Sequence, residues 1–137
     1  RKYAEAIVKR RLHQPEFRGR VMLAYNTQCA ICLLKHGELL DAAHIMPDSH
    51  ERGVPEISNG LALCKIHHTA YDQNFIGISP DYIVHVNKDL LIEKDGPMLK
   101  HGIQEMNGRK ILIPSKAKER PNTEALDFRF QSFSIRN

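Results

Sequence analysis

At 137 residues the chain is the size of a single domain, on the usual ~100 to 200 residues per unit. With 42% hydrophobic, 7% aromatic and 26% charged residues it is neither disordered nor fibrous, and its longest apolar runs, such as Ile111-Leu112-Ile113, fall far short of the ~18 to 20 residues that span a bilayer. The net charge of +4 is mild, but the first twenty residues set Arg1, Lys2, Lys9, Arg10, Arg11, Arg18 and Arg20 against only Glu5 and Glu16, a local +5 on a near-neutral remainder. A basic arm of this kind suits a phosphate backbone, the plainer reading being a solvated helix face.

In chain order, Tyr3, Ala6, Ile7 and Leu12 recur at helical spacing over residues 2 to 12. Phe17, Val21, Met22, Leu23 and Tyr25 do so in a second helix whose first turn holds Pro15. Asn26-Thr27-Gln28 breaks the pattern, Lys35-His36-Gly37 turns the chain, and residues 39 to 45 read as a strand ended by Pro47. A polar loop from Asp48 to Ser58 leads to a second strand at Leu61-Ala62-Leu63 and a short helix from Lys65 to Asp72. Beyond it come a Ser79-Pro80-Asp81 turn, a strand over 82 to 86 and a short helix from Gly96-Pro97 toward Met106. The Asn107-Gly108 turn, a strand over 111 to 113 and a last helix capped by Asn122, with Leu126 and Phe130 on it, complete an α+β pattern.

Three cysteines cannot all pair as disulfides, and Cys29-x-x-Cys32 has the spacing of metal or redox chemistry. A redox pair would want a βαβ context, which the pattern lacks. The odd count favours a reducing, cytoplasmic setting, and no signal peptide is visible. The chain opens at Arg1 inside a helical pattern, which is what the C-terminal part of a longer protein would show.

Residues 29 to 72 hold every cysteine and five of the eight histidines: His36, His44, His50, His67 and His68. Cys29-x-x-Cys32 and Cys64-x-x-His67 form two knuckles with the same gap, a Cys3His set suited to tetrahedral Zn2+. His36 is an alternative fourth ligand, and three small buried hydrophobes are the non-metal alternative. His68 and Asp72, four residues apart, share a helix face and can clamp a cation, although such pairs are more often plain surface hydrogen bonds. If the strand at 61 to 63 pairs back on 39 to 45, His44 and His68 face one another across a small cleft.

Asp-Ala-Ala-His44-Ile-x-Pro followed by Asn59-Gly-Leu-Ala-Leu-Cys-x-x-His-His68-x-x-Tyr-Asp72 resembles the motif of the HNH endonucleases, particularly those at the C-terminal end of restriction-type proteins. The resemblance implies a ββα-metal (His-Me finger) core over 29 to 72, braced by zinc, with a basic helical arm at 1 to 28 and an α+β extension at 73 to 137, all in one domain. It implies that His44 is the general base, and an ordinary imidazole pKa of ~6.5 suits that task. Asn59 would be the structural asparagine that steadies the strand carrying the base, and His68 a ligand of a catalytic Mg2+ or Mn2+. Asp72 lies where nuclease colicins place a further histidine ligand. Many HNH enzymes have a ligand directly before the base, where this chain has Ala43. Asp41, two residues earlier on the face opposite His44, then becomes a candidate ligand, directly or through water.

The expected activity is metal-dependent hydrolysis of DNA phosphodiesters to 5′-phosphate and 3′-hydroxyl ends. Arg10, Arg11, Arg18 and Lys65 would hold the backbone of double-stranded DNA, plain or modified, while specificity resides in an upstream recognition domain. The rival readings are a catalytically silent zinc-knuckle module that binds nucleic acid and a toxin nuclease.

Overall fold

The computed structural model describes residues 2–47 and 56–137, and at position 3 and positions 5–13 the backbone alone. Most of the expected polar loop, with His50, Gly53 and Pro55, therefore lies outside the described residues. The two expected N-terminal helices are one, α1 (Lys2–Ala24), with Pro15 inside it. A proline there removes a backbone hydrogen bond and crowds the carbonyl four residues back, at about 3 kcal/mol. No glycine or turn residue separates the two halves, however, and Pro15 is on the exposed side. Phe17, Val21, Met22 and Tyr25 are buried, so the C-terminal half of α1 is held by its apolar stripe.

That stripe packs on an antiparallel hairpin of β1 (Leu40–His44) and β2 (Gly60–Cys64), registered Leu40 to Cys64 and His44 to Gly60. Gly60 permits the approach, because a Cβ there would lie 2.6 Å from Val21 Cγ2 and 2.9 Å from Phe17 Cζ. Every residue of β2 is buried, as a strand covered on both faces requires. β2 runs directly into α2 (Lys65–Asp72), which the Cys64 sulfur caps by accepting from the His67 amide.

A second hairpin, β3 (Ile76–Ile78) with β4 (Val84–Val86), extends the core. The β-rich run expected from 82 begins at 84, since the preceding turn reaches Tyr82, whose φ is +67° and whose amide donates to the Ser79 carbonyl at 2.8 Å. α3 (Lys88–Ile92), capped by Asn87, escapes the periodicity because it is a bare turn and a half. Residues 98–103 form a wide π-helical turn and 104–106 a 3-10 turn, where one short helix is expected. The strand expected at 111 to 113 does not form. The Ile111 amide donates to Tyr82 and the Leu112 amide to Ala30, so successive amides go to different segments and no ladder builds. α4 (Thr123–Arg136), capped by Asn122 as expected, lies across β3, where a Cβ on Gly77 would come within 2.6 Å of Phe133 Cγ. Among the described residues no helix is long and apolar enough to cross a membrane.

Candidate active site and metal centre

Cys29, Cys32, Cys64 and His67 converge, their ligand atoms all within 4.8 Å of one another. Cys29 Sγ is 3.6 Å and Cys64 Sγ 3.3 Å from His67 Nδ1, and Cys32 Sγ is 4.0 Å from Cys64 Sγ. Those are edges a tetrahedron of ~2.3 Å metal–sulfur and ~2.0 Å metal–nitrogen bonds requires. The first knuckle is shaped by the Leu33 amide donating to the Cys29 carbonyl at 2.9 Å, with Leu33 in the left-handed region at φ +67°. That conformation costs a non-glycine residue about 1 kcal/mol or more. His67 Nε2 lies 2.6 Å from the Gly102 carbonyl. A carbonyl can only accept, so this bond keeps the proton on Nε2 and leaves Nδ1 to face the thiols, the arrangement by which metal-binding histidines are usually oriented. Crowding of the bare groups polarises them: hydrogen bonds from Cys32 and Cys64 drive the Cys29 thiol down. Burial opposes ionisation of His67, but hydrogen bonds to Cys29 and Cys64 outweigh it and push it up to about 10. Disulfides are absent among the described cysteines. His36 is exposed and stands apart from the cluster, so the alternative ligand set is not the one assembled.

A cleft of 460 Å³ opens at the other end of the hairpin, lined by His44, Pro47, His68, Asp72, Asn74, Phe128, Arg129 and Ser132. Strand β1 ends on His44, whose ring stacks on Phe17 at 4.4 Å between centroids and 14° between planes. The backbone just beyond it is tied to buried Asn59. Asn59 Oδ1 accepts from the Met46 amide at 2.8 Å, Nδ2 donates to the Met46 carbonyl at 3.1 Å, and the Asn59 carbonyl accepts from the Ile45 amide at 2.9 Å. His68 stands between two carboxylates, with Nδ1 2.8 Å from Asp41 Oδ2 and Nε2 3.1 Å from Asp72 Oδ2. The Asp72 hydrogen bond, with that of Asp41, raises the His68 pKa against the opposing effect of burial. Burial favours the neutral form of both carboxyls, but their hydrogen bonds to His68 prevail and hold them below the usual range.

The sequence-predicted residues fall into three groups. His44, His68 and Asp72 line one cleft, with Asn59 bracing its edge. Asp41 stands on the other side of His68. It occupies the ring nitrogen of His68 remote from Asp72 and does not line the cleft, and because the two imidazole nitrogens point in opposing directions, Asp41 and Asp72 do not converge on one point. Among the expected DNA contacts, Arg18 is exposed and has its guanidinium bonded to the Leu40 and Gly37 carbonyls at 2.7 and 2.9 Å, a staple between α1 and the entry to β1. Lys65 pairs with Asp41 while remaining largely exposed. The side chains of Arg10 and Arg11 lie outside the described residues. Residues that spacing did not reveal are Phe17 beneath the His44 ring, and Phe128, Arg129 and Ser132 from α4, which form the far wall. Only the packing of a helix more than fifty residues downstream brings that wall to the cleft.

A hairpin running into a helix, beside a Cys/His centre and a histidine-lined cleft, defines an α+β fold of the HNH nuclease kind. Residues 29–79 match the HNH endonuclease family, HNH_2, which bears out the resemblance read from the motif. Among solved structures the chain is similar to "Modification dependent TagI restriction endonuclease", with a TM-score of 0.55 and 16% identity over 85% of this chain and 37% of that one. That likeness is one of fold, and the chain spans well under half of that protein. No curated protein sequence matches the chain.

Proposed function

We propose that the chain is the nuclease domain of a restriction-type DNA endonuclease, hydrolysing phosphodiesters with His44 as general base and one divalent cation, Mg2+ or Mn2+, at His68 and Asp72. The observation that carries this reading is the convergence of His44, His68 and Asp72 on one cleft. An imidazole nitrogen and a carboxylate 3.1 Å apart suit a small divalent ion that keeps its remaining positions for water and phosphate. When bound there, such an ion supplies neutralisation of the scissile phosphate and stabilisation of the leaving 3′-oxygen. His44 takes the proton of the attacking water, its ring orientation set by Phe17 and its backbone by Asn59. Asp41 holds Nδ1 of His68 and so directs Nε2 toward the cleft, acting behind the ligand rather than on the ion. The Cys3His centre takes zinc and fastens the strand–helix junction. Three cysteines with no disulfide among them fit a reducing cytoplasm.

The substrate in this reading is double-stranded DNA. Its sequence or modification is read by a recognition domain elsewhere in a longer protein, a division of labour in keeping with a structural neighbour that is itself a modification-dependent restriction endonuclease and much longer than this chain. Arg10 and Arg11 supply affinity without sequence information. Replacing both with Ala should weaken binding alike on unrelated duplexes and flatten the slope of log affinity against log salt by about one to two. Unchanged binding in a salt-series titration would remove the arm from the DNA interface. The function itself is tested by incubating the protein with supercoiled plasmid, unmodified and cytosine-modified, with and without Mg2+ or Mn2+. Cleavage that requires the ion is expected. DNA binding with no cleavage of either plasmid would favour the silent module.

A further inference from the structure

Arg129, in the middle of α4 and fifty residues beyond the end of the matched segment, is the one arginine or lysine that lines the cleft among the described residues, and its donors bridge two segments beside it. Nη1 donates to the His44 carbonyl at 3.1 Å and the Ile45 carbonyl at 2.7 Å, while Nη2 reaches the Tyr71 carbonyl and Asp72 Oδ1, each at 3.4 Å. Its guanidinium carbon sits 4.2 Å above the Tyr71 ring, and the side chain is only 12% exposed. A planar fork with donors fixed on both sides can bridge two segments at once, which a lysine ammonium cannot do with the same geometry. The two segments are the end of β1, which carries the proposed base, and the end of α2, which carries the proposed ligand. Asn59 grips the 44–46 backbone through Met46 and the Ile45 amide, and Arg129 grips its carbonyls from the other flank.

We infer that Arg129 is a positioning residue of the nuclease site, fixing the His44 backbone relative to Asp72 so that base and cation act on the same phosphate. This rests on the nuclease reading above. An error of about 1 Å in such placement can cost on the order of 10²-fold in rate. A guanidinium bonded to neutral carbonyls and resting on a buried aromatic face also holds the last helix to the finger. The C-terminal extension thereby helps to set the geometry of the nuclease site.

The test compares wild type with Arg129→Lys and Arg129→Gln, using two readouts. In plasmid cleavage, kcat per folded molecule, measured well below the melting temperature, should fall about 10- to 10²-fold in Arg129→Lys with KM for DNA within about twofold. In a His44→Ala background the same substitution should add little, because residues acting through one another are not additive. In amide hydrogen exchange of the zinc-loaded protein without added Mg2+ or Mn2+, Ile45 and Met46 should lose protection by about tenfold while Leu61 and Leu63 in β2 keep theirs, as expected of a local opening. Uniform loss of protection across the hairpin, or wild-type kcat per folded molecule in Arg129→Lys, would overturn the positioning role and leave Arg129 as packing. A wild type that cuts nothing while Arg129→Lys still loosens Ile45 and Met46 selectively would count against the nuclease reading and in favour of the anchor.

Discussion

Cys29→Ala is expected to yield a protein that retains no zinc and does not hold its fold. Wild type should keep about one tightly bound zinc per chain. The four ligands come from the knuckle at 29–32 and from the junction of β2 with α2, and His67 is fastened in turn to Gly102 in the extension. One ion bound there would tie three parts of the chain together. Apparent binding energies of about 10 to 16 kcal/mol for structural zinc match or exceed the ~5 to 15 kcal/mol by which a domain is stable at all. Losing one thiolate forfeits much of that and leaves two thiols and a buried imidazole without their common partner. Elemental mass spectrometry and thermal melting check the result. Cys29→Ala that melts as wild type does, or wild-type protein that is folded and free of metal, would contradict it.

His44→Ala and His68→Ala should both cripple cleavage, for different reasons. Removing His44 takes away the proposed proton acceptor while the carboxylates around His68 stay in place, so the rate should fall by about 10² to 10⁴ with DNA binding nearly intact. His68→Ala removes the nitrogen beside Asp72 and leaves Asp41 without its partner. Its residual activity should therefore rise with added Mn2+, since excess cation can refill a weakened site but cannot replace a base. A Mn2+ titration of both variants separates the two. Equal recovery in both would mean that His44 serves the ion rather than the water.

The motif residues were legible because their chemistry is local. Two-residue gaps bring Cys29 to Cys32 and Cys64 to His67 whatever the rest of the chain does, and the i, i+4 relation brings His68 to Asp72 once 65 to 72 is helical. The hairpin pairing then places His44 opposite Gly60 and brings it into the cleft that His68 and Asp72 share. What escaped the sequence depends on contacts between distant segments. The direction of the Asp41 carboxylate, toward Nδ1 of His68, follows from α2 lying on its face of the sheet. Arg18 reads as a DNA contact by charge alone, and its bonds to Leu40 and Gly37 arise only when α1 crosses the hairpin. Arg129 carries no spacing signal at all, because its partners lie 57 to 85 residues away. The strand expected at 111 to 113 has the right residues but no single partner strand.

The most direct measurement of the central claim is the initial rate of Mg2+- or Mn2+-dependent plasmid cleavage by His44→Ala relative to wild type, at DNA concentrations where both are shown to bind. The account predicts metal-dependent cleavage by wild type and a loss of about 10² or more in the variant, while equal cleavage by the two proteins would contradict it.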